Sequence, residues 1–414
     1  MQLRWTIVLL LFLVQIVNSV DKAVMGLAAV PIMRELNLTP QQYGVIASSF
    51  YSLYALSTVA VAMLFANRVP PRIILIVLLA AWTTVQLPIL FAASFAVLVV
   101  CRTALGVAEG PGTPTIINAT HEWFAPEERS FPTALVMFGT TVGPLLGAPI
   151  LSYLIIGYGW RAAFAACSVL SFSVLALWWR FGADGPGVTV RPMELRPTSK
   201  DAPIRWTKVW TDRTIIGCLI GGFCAYWAVG FGIAWLAPLL TTGLGYDSIT
   251  TGWLIALIFA GQGVIGLALS GLSHMMTTRG TPSRQARGLF IATMQMASAG
   301  AFVAAALATA PPLKVGLILL AASLPGVTFT LGPSILSEVL PPARRNRDIG
   351  IILATVSIAG AISPYVSGLF INANPGPVGY DHALFLVGAV LAIGGLVSLA
   401  TLHPETSRHA LAEA

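Results

Sequence analysis

Apolar residues in this chain gather into continuous runs of about 20, the length a helix needs to cross a bilayer, with short polar links between them. Twelve such runs can be placed, near 5–31, 42–66, 72–91, 94–118, 130–155 and 161–181, then near 214–240, 249–272, 287–309, 313–338, 348–372 and 382–402. The longest polar stretch, Arg180 to Arg213, lies between the two sets. It carries seven basic and four acidic residues with Gly185-Pro186-Gly187 and Arg196-Pro197, and reads as a linker. The pattern predicts an all-α membrane protein of 12 transmembrane helices in two six-helix, pseudo-symmetric halves, 1–181 and 214–414, joined by a cytoplasmic linker over 182–213.

Composition agrees. Of 414 residues, 56% are hydrophobic and 9% charged, and the mean hydropathy is +0.82, which excludes a soluble globular protein with its usual charged share of roughly 25%. The sequence pI near 9.5 comes from Lys and Arg in the links, with no basic stripe carrying interleaved aromatics, so no nucleic-acid partner is expected. With the N-terminus inside, 18 of the 23 Lys and Arg residues fall in cytoplasmic segments and three outside (Arg34, Arg161, Lys314), which places both termini and the linker in the cytoplasm. Cys101, Cys167, Cys218 and Cys224 lie within apolar runs without CxxC or Cys/His spacing, and read as buried thiols; no metal is expected. Arg4 ahead of an apolar core imitates a signal peptide, but the run continues through Asp21-Lys22 to Pro31 without a small-x-small cleavage site.

The two remaining cations are embedded, Lys22 in the first run and Arg102 in the fourth, and Asp21 and Glu109 share those runs. An ionisable side chain at bilayer depth costs roughly 3 kcal/mol or more, so such residues mark a functional site beside a wet cavity. In span 1, Gln15, Asn18, Ser19 and Lys22 follow helical i, i+3, i+4, i+7 spacing with Asp21 beside them, a polar stripe expected to face that cavity. Span 4 sets Arg102, Gly106, Glu109 and Thr113 on one face, the charges about 10.5 Å apart along the axis and too distant for a tight pair. Arg102 is therefore expected to pair with Asp21. Glu109, left without a full counter-charge, is the candidate to bind and release a proton. An inter-helix pair that only holds the bundle together, or a permanently neutral Glu109, are the structural alternatives. Gly106-x-x-x-Gly110 and Gly139-x-x-x-Gly143-Pro144-x-x-Gly147 allow close helix packing, and Pro111 and Pro114 permit bending. Among span aromatics, Tyr54, Tyr226 and Trp227 are candidates to line a cavity; Thr355, Ser357 and Ser363 in span 11 offer hydroxyls to a carboxylate or to their own helix. No GxxxxGK[ST] loop occurs, so ATP-driven transport is not expected.

Two motifs, Arg102-x-x-x-Gly106-x-x-Glu109-Gly110-x-x-x-Pro114 and Trp123-Phe124-x-Pro126-x-Glu128-Arg129, resemble those of the anion:cation symporter family of the major facilitator superfamily. So do Asp21-Lys22, where that family commonly has Asp-Arg, Phe50-x-x-x-Tyr54, Gly159-Trp160-Arg161 and Trp235-Leu236-x-Pro238. The resemblance covers nearly the whole chain. It implies proton-coupled uptake of an organic anion, with protonation at Asp21 and Glu109, Arg102 pairing with and tuning Asp21, and Lys22 meeting the substrate carboxylate. It also places Tyr54, Thr140 and Ser357 at substrate-contacting positions, and Arg102, besides tuning Asp21, is counted with Lys22 as a candidate substrate contact. Lysine in place of a bidentate guanidinium, and short hydroxyls at 140 and 357, imply a smaller or more apolar acid than a sugar acid. Asn67-Arg68 after span 2 and His274 after span 8 replace the usual acids, which weakens the inter-helix salt bridges expected there.

The expected function is thus symport of a small carboxylate by alternating access, by a monomer in the lipid of a bacterial inner membrane, with the proton as coupling ion and no cofactor. A drug or metabolite:proton antiporter of the same superfamily is the alternative, since the span 5 Gly-Pro-Gly pattern resembles that of exporters; the embedded cations disfavour cationic drugs. A membrane-embedded transferase using Glu109 or His121 with Glu122 is a remote one.

Overall fold

The computed structural model describes residues 2–65, 68–125, 128–186, 206–341 and 345–412. Asn67, Pro126 and most of the linker lie outside the described residues. Twelve helical segments are long and apolar enough to cross a membrane: Leu3–Leu27, Pro40–Leu64, Pro71–Phe91, Phe95–His121, Ser130–Tyr158 and Trp160–Phe181, then Arg213–Gly243, Ser248–Thr278, Arg284–Leu307, Pro311–Val339, Arg347–Ala373 and Pro377–Thr401. No strand occurs among the described residues. These are spans 1 to 12 below, and they match the twelve apolar runs.

The ends follow local chemistry. Thr39, just before Pro40, and Gln42, in the first turn, form a reciprocal capping box, so span 2 begins there. Span 4 breaks between Glu109 and Gly112, because Pro111 has no N–H to continue the ladder. Span 5 stays helical across Pro144 and Pro149.

Packing divides the chain into two compact units, one holding spans 1–6 with Ile233–Ala260, the other Leu195–Gly232 with Gly261–Ala414. In the first, glycines of span 5 accept span 1: a Cβ on Gly139 would meet Gln15 Cβ at 3.0 Å, and one on Gly143 would meet Ser19 Cβ at 2.8 Å. That contact gives the span 5 glycine pattern a packing role, and it corrects one expectation. Gln15 and Ser19 face span 5, and only Asn18 and Lys22 of the stripe turn towards span 4.

Each unit also carries a cap supplied from afar. Asp184 Oδ1, just beyond span 6, accepts from the Arg72 N–H at the start of span 3 at 2.9 Å. Glu405 Oε1, just beyond span 12, accepts from the Arg284 N–H at the start of span 9 at 2.9 Å. Both satisfy backbone donors that a helix start leaves open. The first linker residues are therefore docked, with Gly185 N–H also donating to Glu122 Oε2 at 3.3 Å.

Candidate functional site

Span 4 lies against span 2 because Gly106 and Gly110 lack side chains: a Cβ on either would overlap the carbonyl oxygen of Phe50 or Tyr54. This approach brings the Phe50 and Tyr54 rings to the charged face of span 4. Span 1 adds Asp21 and Lys22, and all four embedded charges converge in one unit. Asp21, Arg102 and Glu109 are 1%, 3% and 0% exposed, while the Lys22 side chain is 18% exposed.

The pairing differs from the expected one. Lys22 Nζ lies 2.6 Å from Glu109 Oε2, so Glu109 has a direct counter-charge. Lys22 also donates to Asn18 Oδ1 at 2.6 Å and to the Asn18 carbonyl at 2.9 Å, and Asn18 Nδ2 donates to Glu109 Oε2 at 3.0 Å. Arg102 forms no ion pair with the Asp21 carboxylate among the described residues. Its Nη1 donates to the Asp21 backbone carbonyl at 3.5 Å, the outer limit of a hydrogen bond, and its Nε is buried without a partner. The physical reason is rotation about span 1. Adjacent residues point about 100° apart, and the one aimed at span 4 is Lys22.

Neither carboxylate oxygen of Asp21 sits in normal hydrogen-bond geometry; Gln86 of span 3, Cys167 of span 6, Arg102 and Lys22 are the polar groups around it. Glu109 Oε1 is likewise buried without a partner. The Phe50 ring touches both cations, with Lys22 Nζ 5.7 Å and Arg102 Cζ 5.5 Å from its centroid, within cation–π range. Tyr43 and Tyr51 flank Arg102, and the Tyr54 ring packs at 5.6 Å from Phe50.

The other expected residues are placed as follows. Thr140 Oγ1 donates to the Met137 carbonyl at 2.8 Å and Ser357 Oγ to the Ala354 carbonyl at 2.7 Å, so both hydroxyls are bonded to their own helices. In the second unit Tyr226 stacks edge-on with Phe329 at 5.8 Å, and Trp227 is buried with its Nε1 unbonded. His121 contacts Thr133 at 3.0 Å and Glu122 receives Gly185, so the pair weighed for transferase chemistry is engaged in local contacts. All four cysteines are free and buried.

Sequence reasoning missed Gln86, which is 1% exposed. A lone amide in the otherwise apolar run 72–91 is the signal that would have found it, by the same rule that singled out the charges. Phe50 entered only as part of a motif, and its place against two cations is a finding of the structure.

A family model described as the Major Facilitator Superfamily matches residues 11–321. The hexuronate transporter of Bacillus subtilis (strain 168) is 24% identical, over 96% of this chain and 92% of its own. The probable sulfoacetate transporter SauU of Cupriavidus necator is 27% identical over 94% and 91%, and the probable L-galactonate transporter of Escherichia coli (strain K12) 24% over 95% and 88%. Among solved structures, an inward-facing bacterial homolog of the human lysosomal transporter Spinster superposes with a TM-score of 0.75 at 18% identity, over 99% of this chain and 96% of that one. A D-xylose-proton symporter gives 0.73 at 15%, over 97% and 99%. With twelve spans in place and three quarters of its length matched, this chain is a multi-pass membrane transporter and belongs to the Major Facilitator Superfamily.

Proposed function

We propose that this protein takes up a small organic carboxylate together with protons across the cytoplasmic membrane of a bacterium, by alternating access of two six-helix halves with both termini in the cytoplasm. The relatives named above are called transporters of hexuronate, L-galactonate and sulfoacetate, all organic anions. The Lys and Arg asymmetry of the links supports the orientation.

The observation that carries this reading is the Lys22–Glu109 pair at 2.6 Å, whose carboxylate is fully buried. An ammonium has three N–H donors, and Lys22 spends them on Glu109 Oε2, Asn18 Oδ1 and the Asn18 carbonyl. An incoming carboxylate gains a donor from Lys22 only by displacing Glu109, and a displaced carboxylate at this depth is tolerated once it takes a proton. Anion and proton are thereby linked ligands, each favouring the other. Asp21 serves as the second proton site, tuned by Arg102; Tyr54 and Thr140 in the first unit, and Tyr226, Trp227 and Ser357 in the second, are the candidate substrate contacts of each. Short hydroxyls already bonded to their own helices favour an acid with few hydroxyl groups.

The test is uptake into proteoliposomes of galactonate, a hexuronate, sulfoacetate and short carboxylates, with the outside acidic. At least one should accumulate, acidify the lumen and stop accumulating when a protonophore is added. Uptake indifferent to the proton gradient contradicts the coupling.

A further inference from the structure

The two embedded cations are in different chemical states. Lys22 has no donor to spare, whereas the Arg102 guanidinium, with five N–H donors, makes one hydrogen bond among the described residues, at 3.5 Å, and keeps its Nε buried and unpartnered. A 3% exposed arginine in that condition is costly to maintain, because a buried donor without an acceptor forfeits its hydration. The neighbouring Asp21 carboxylate does not relieve it, since its oxygens are also outside hydrogen-bond geometry. Both cations nevertheless lie against one Phe50 ring, at 5.7 and 5.5 Å. They are separate receptors within one short reach.

Building on the carboxylate-uptake reading above, we propose that the substrate carries two anionic groups, one received by the Arg102 guanidinium and the other by the Lys22 ammonium once Glu109 is protonated. A planar guanidinium offers paired N–H donors that match a carboxylate or sulfonate, and Arg102 presents them without breaking an existing pair. The charge balance follows. With Asp21 and Glu109 both ionised the four residues sum to zero, and a dianion would leave two uncompensated negative charges in a low-dielectric site. With one proton on each carboxylate the residues carry +2, which the dianion neutralises. Two protons then accompany each substrate, and the loaded cluster crosses the membrane without net charge.

The titratable and polar groups that act on Asp21 are Lys22 on its own helix, Gln86 on span 3, Arg102 and Glu109 on span 4 and Cys167 on span 6. Arg102 is the guanidinium among them. It is the specificity-determining residue of the proposal, separating dianions from monoanions.

The test compares malonate, succinate and glutarate, each with its monomethyl ester, which keeps the length and removes one charge. Binding is read by thermal shift of the purified protein at mildly acidic pH. At least one dianion should bind about tenfold or more tightly than its own ester, the difference one charge-assisted contact makes. Arg102→Gln should erase that preference while the ester still binds. If every ester binds as well as its diacid, or if Arg102→Gln weakens both equally, the proposal is overturned. The wild-type comparison stands alone should the variant fail to fold. Absence of binding by all diacids and esters, together with no anion uptake in proteoliposomes, would instead sink the carboxylate reading on which the proposal rests.

Discussion

Lys22 Nζ stands 2.6 Å from Glu109 Oε2, joining two residues 87 positions apart in the chain, while Asn18 holds both partners from one turn earlier in span 1. Glu109 is 0% exposed, so the ammonium is what makes an ionised carboxylate tolerable there. In the proposed coupling, anion binding at Lys22 and proton binding at Glu109 are linked through this pair.

Removing the cation should leave Glu109 buried and uncompensated. Lys22→Met is expected to destabilise the protein by about 3 kcal/mol at neutral pH, and Glu109→Gln in the same background should restore most of the loss. Denaturant titration in detergent measures both. A double variant no more stable than Lys22→Met contradicts the pair's role.

The closeness of spans 2 and 4 depends on Gly106, where a Cβ would overlap the Phe50 carbonyl oxygen. Gly106→Ala should cost about 3 kcal/mol or more, since backbone has to move. Gly300→Ala is the control, because a Cβ there meets nothing within 4 Å, and it should be neutral or slightly stabilising. Equal melting temperatures for the two variants would refute the packing argument.

Asp184 and Glu405 cap helices that begin more than a hundred residues earlier. Changing either to Ala should cost about 1 kcal/mol and speed hydrogen exchange of the amide it accepts from, Arg72 or Arg284. Unchanged exchange at those amides removes the capping role.

Glu35 gives a pH dependence with a definite sign. The Trp160 Nε1–H bond and the Arg161 guanidinium hold its carboxyl below the ordinary value of 4.5. Its contribution to stability is complete above that value and is lost as pH falls through the lowered one. Glu35→Gln should therefore flatten the acid limb of the stability profile and leave its alkaline limb alone. A variant whose acid limb matches the wild type excludes Glu35 as a contributor.

The spans were legible because bilayer thickness dictates a run length that any helix must meet, whatever its neighbours. The break at Gly110-Pro111 was legible for a similar reason, the missing N–H of proline. Pairing within the site was not. Asp21 and Lys22 are adjacent, and which of them meets span 4 depends on a rotation of span 1 that the contacts of Gln15 and Ser19 with the span 5 glycines decide. Gln86 escaped attention because an uncharged amide stands out less than a charge in an apolar run. Thr140 and Ser357 could be placed by position, but the turn of each hydroxyl to its own helix is a rotamer choice that residue type leaves open.

The most direct test of the central claim is the behaviour of Glu109→Gln in proteoliposomes with a transported anion on both sides. The variant keeps the side-chain shape and removes the titratable proton. It should sustain anion exchange at a rate comparable to the wild type, yet fail to accumulate the anion when the outside is made acidic. Normal accumulation by Glu109→Gln would show that coupling does not pass through the Lys22–Glu109 pair.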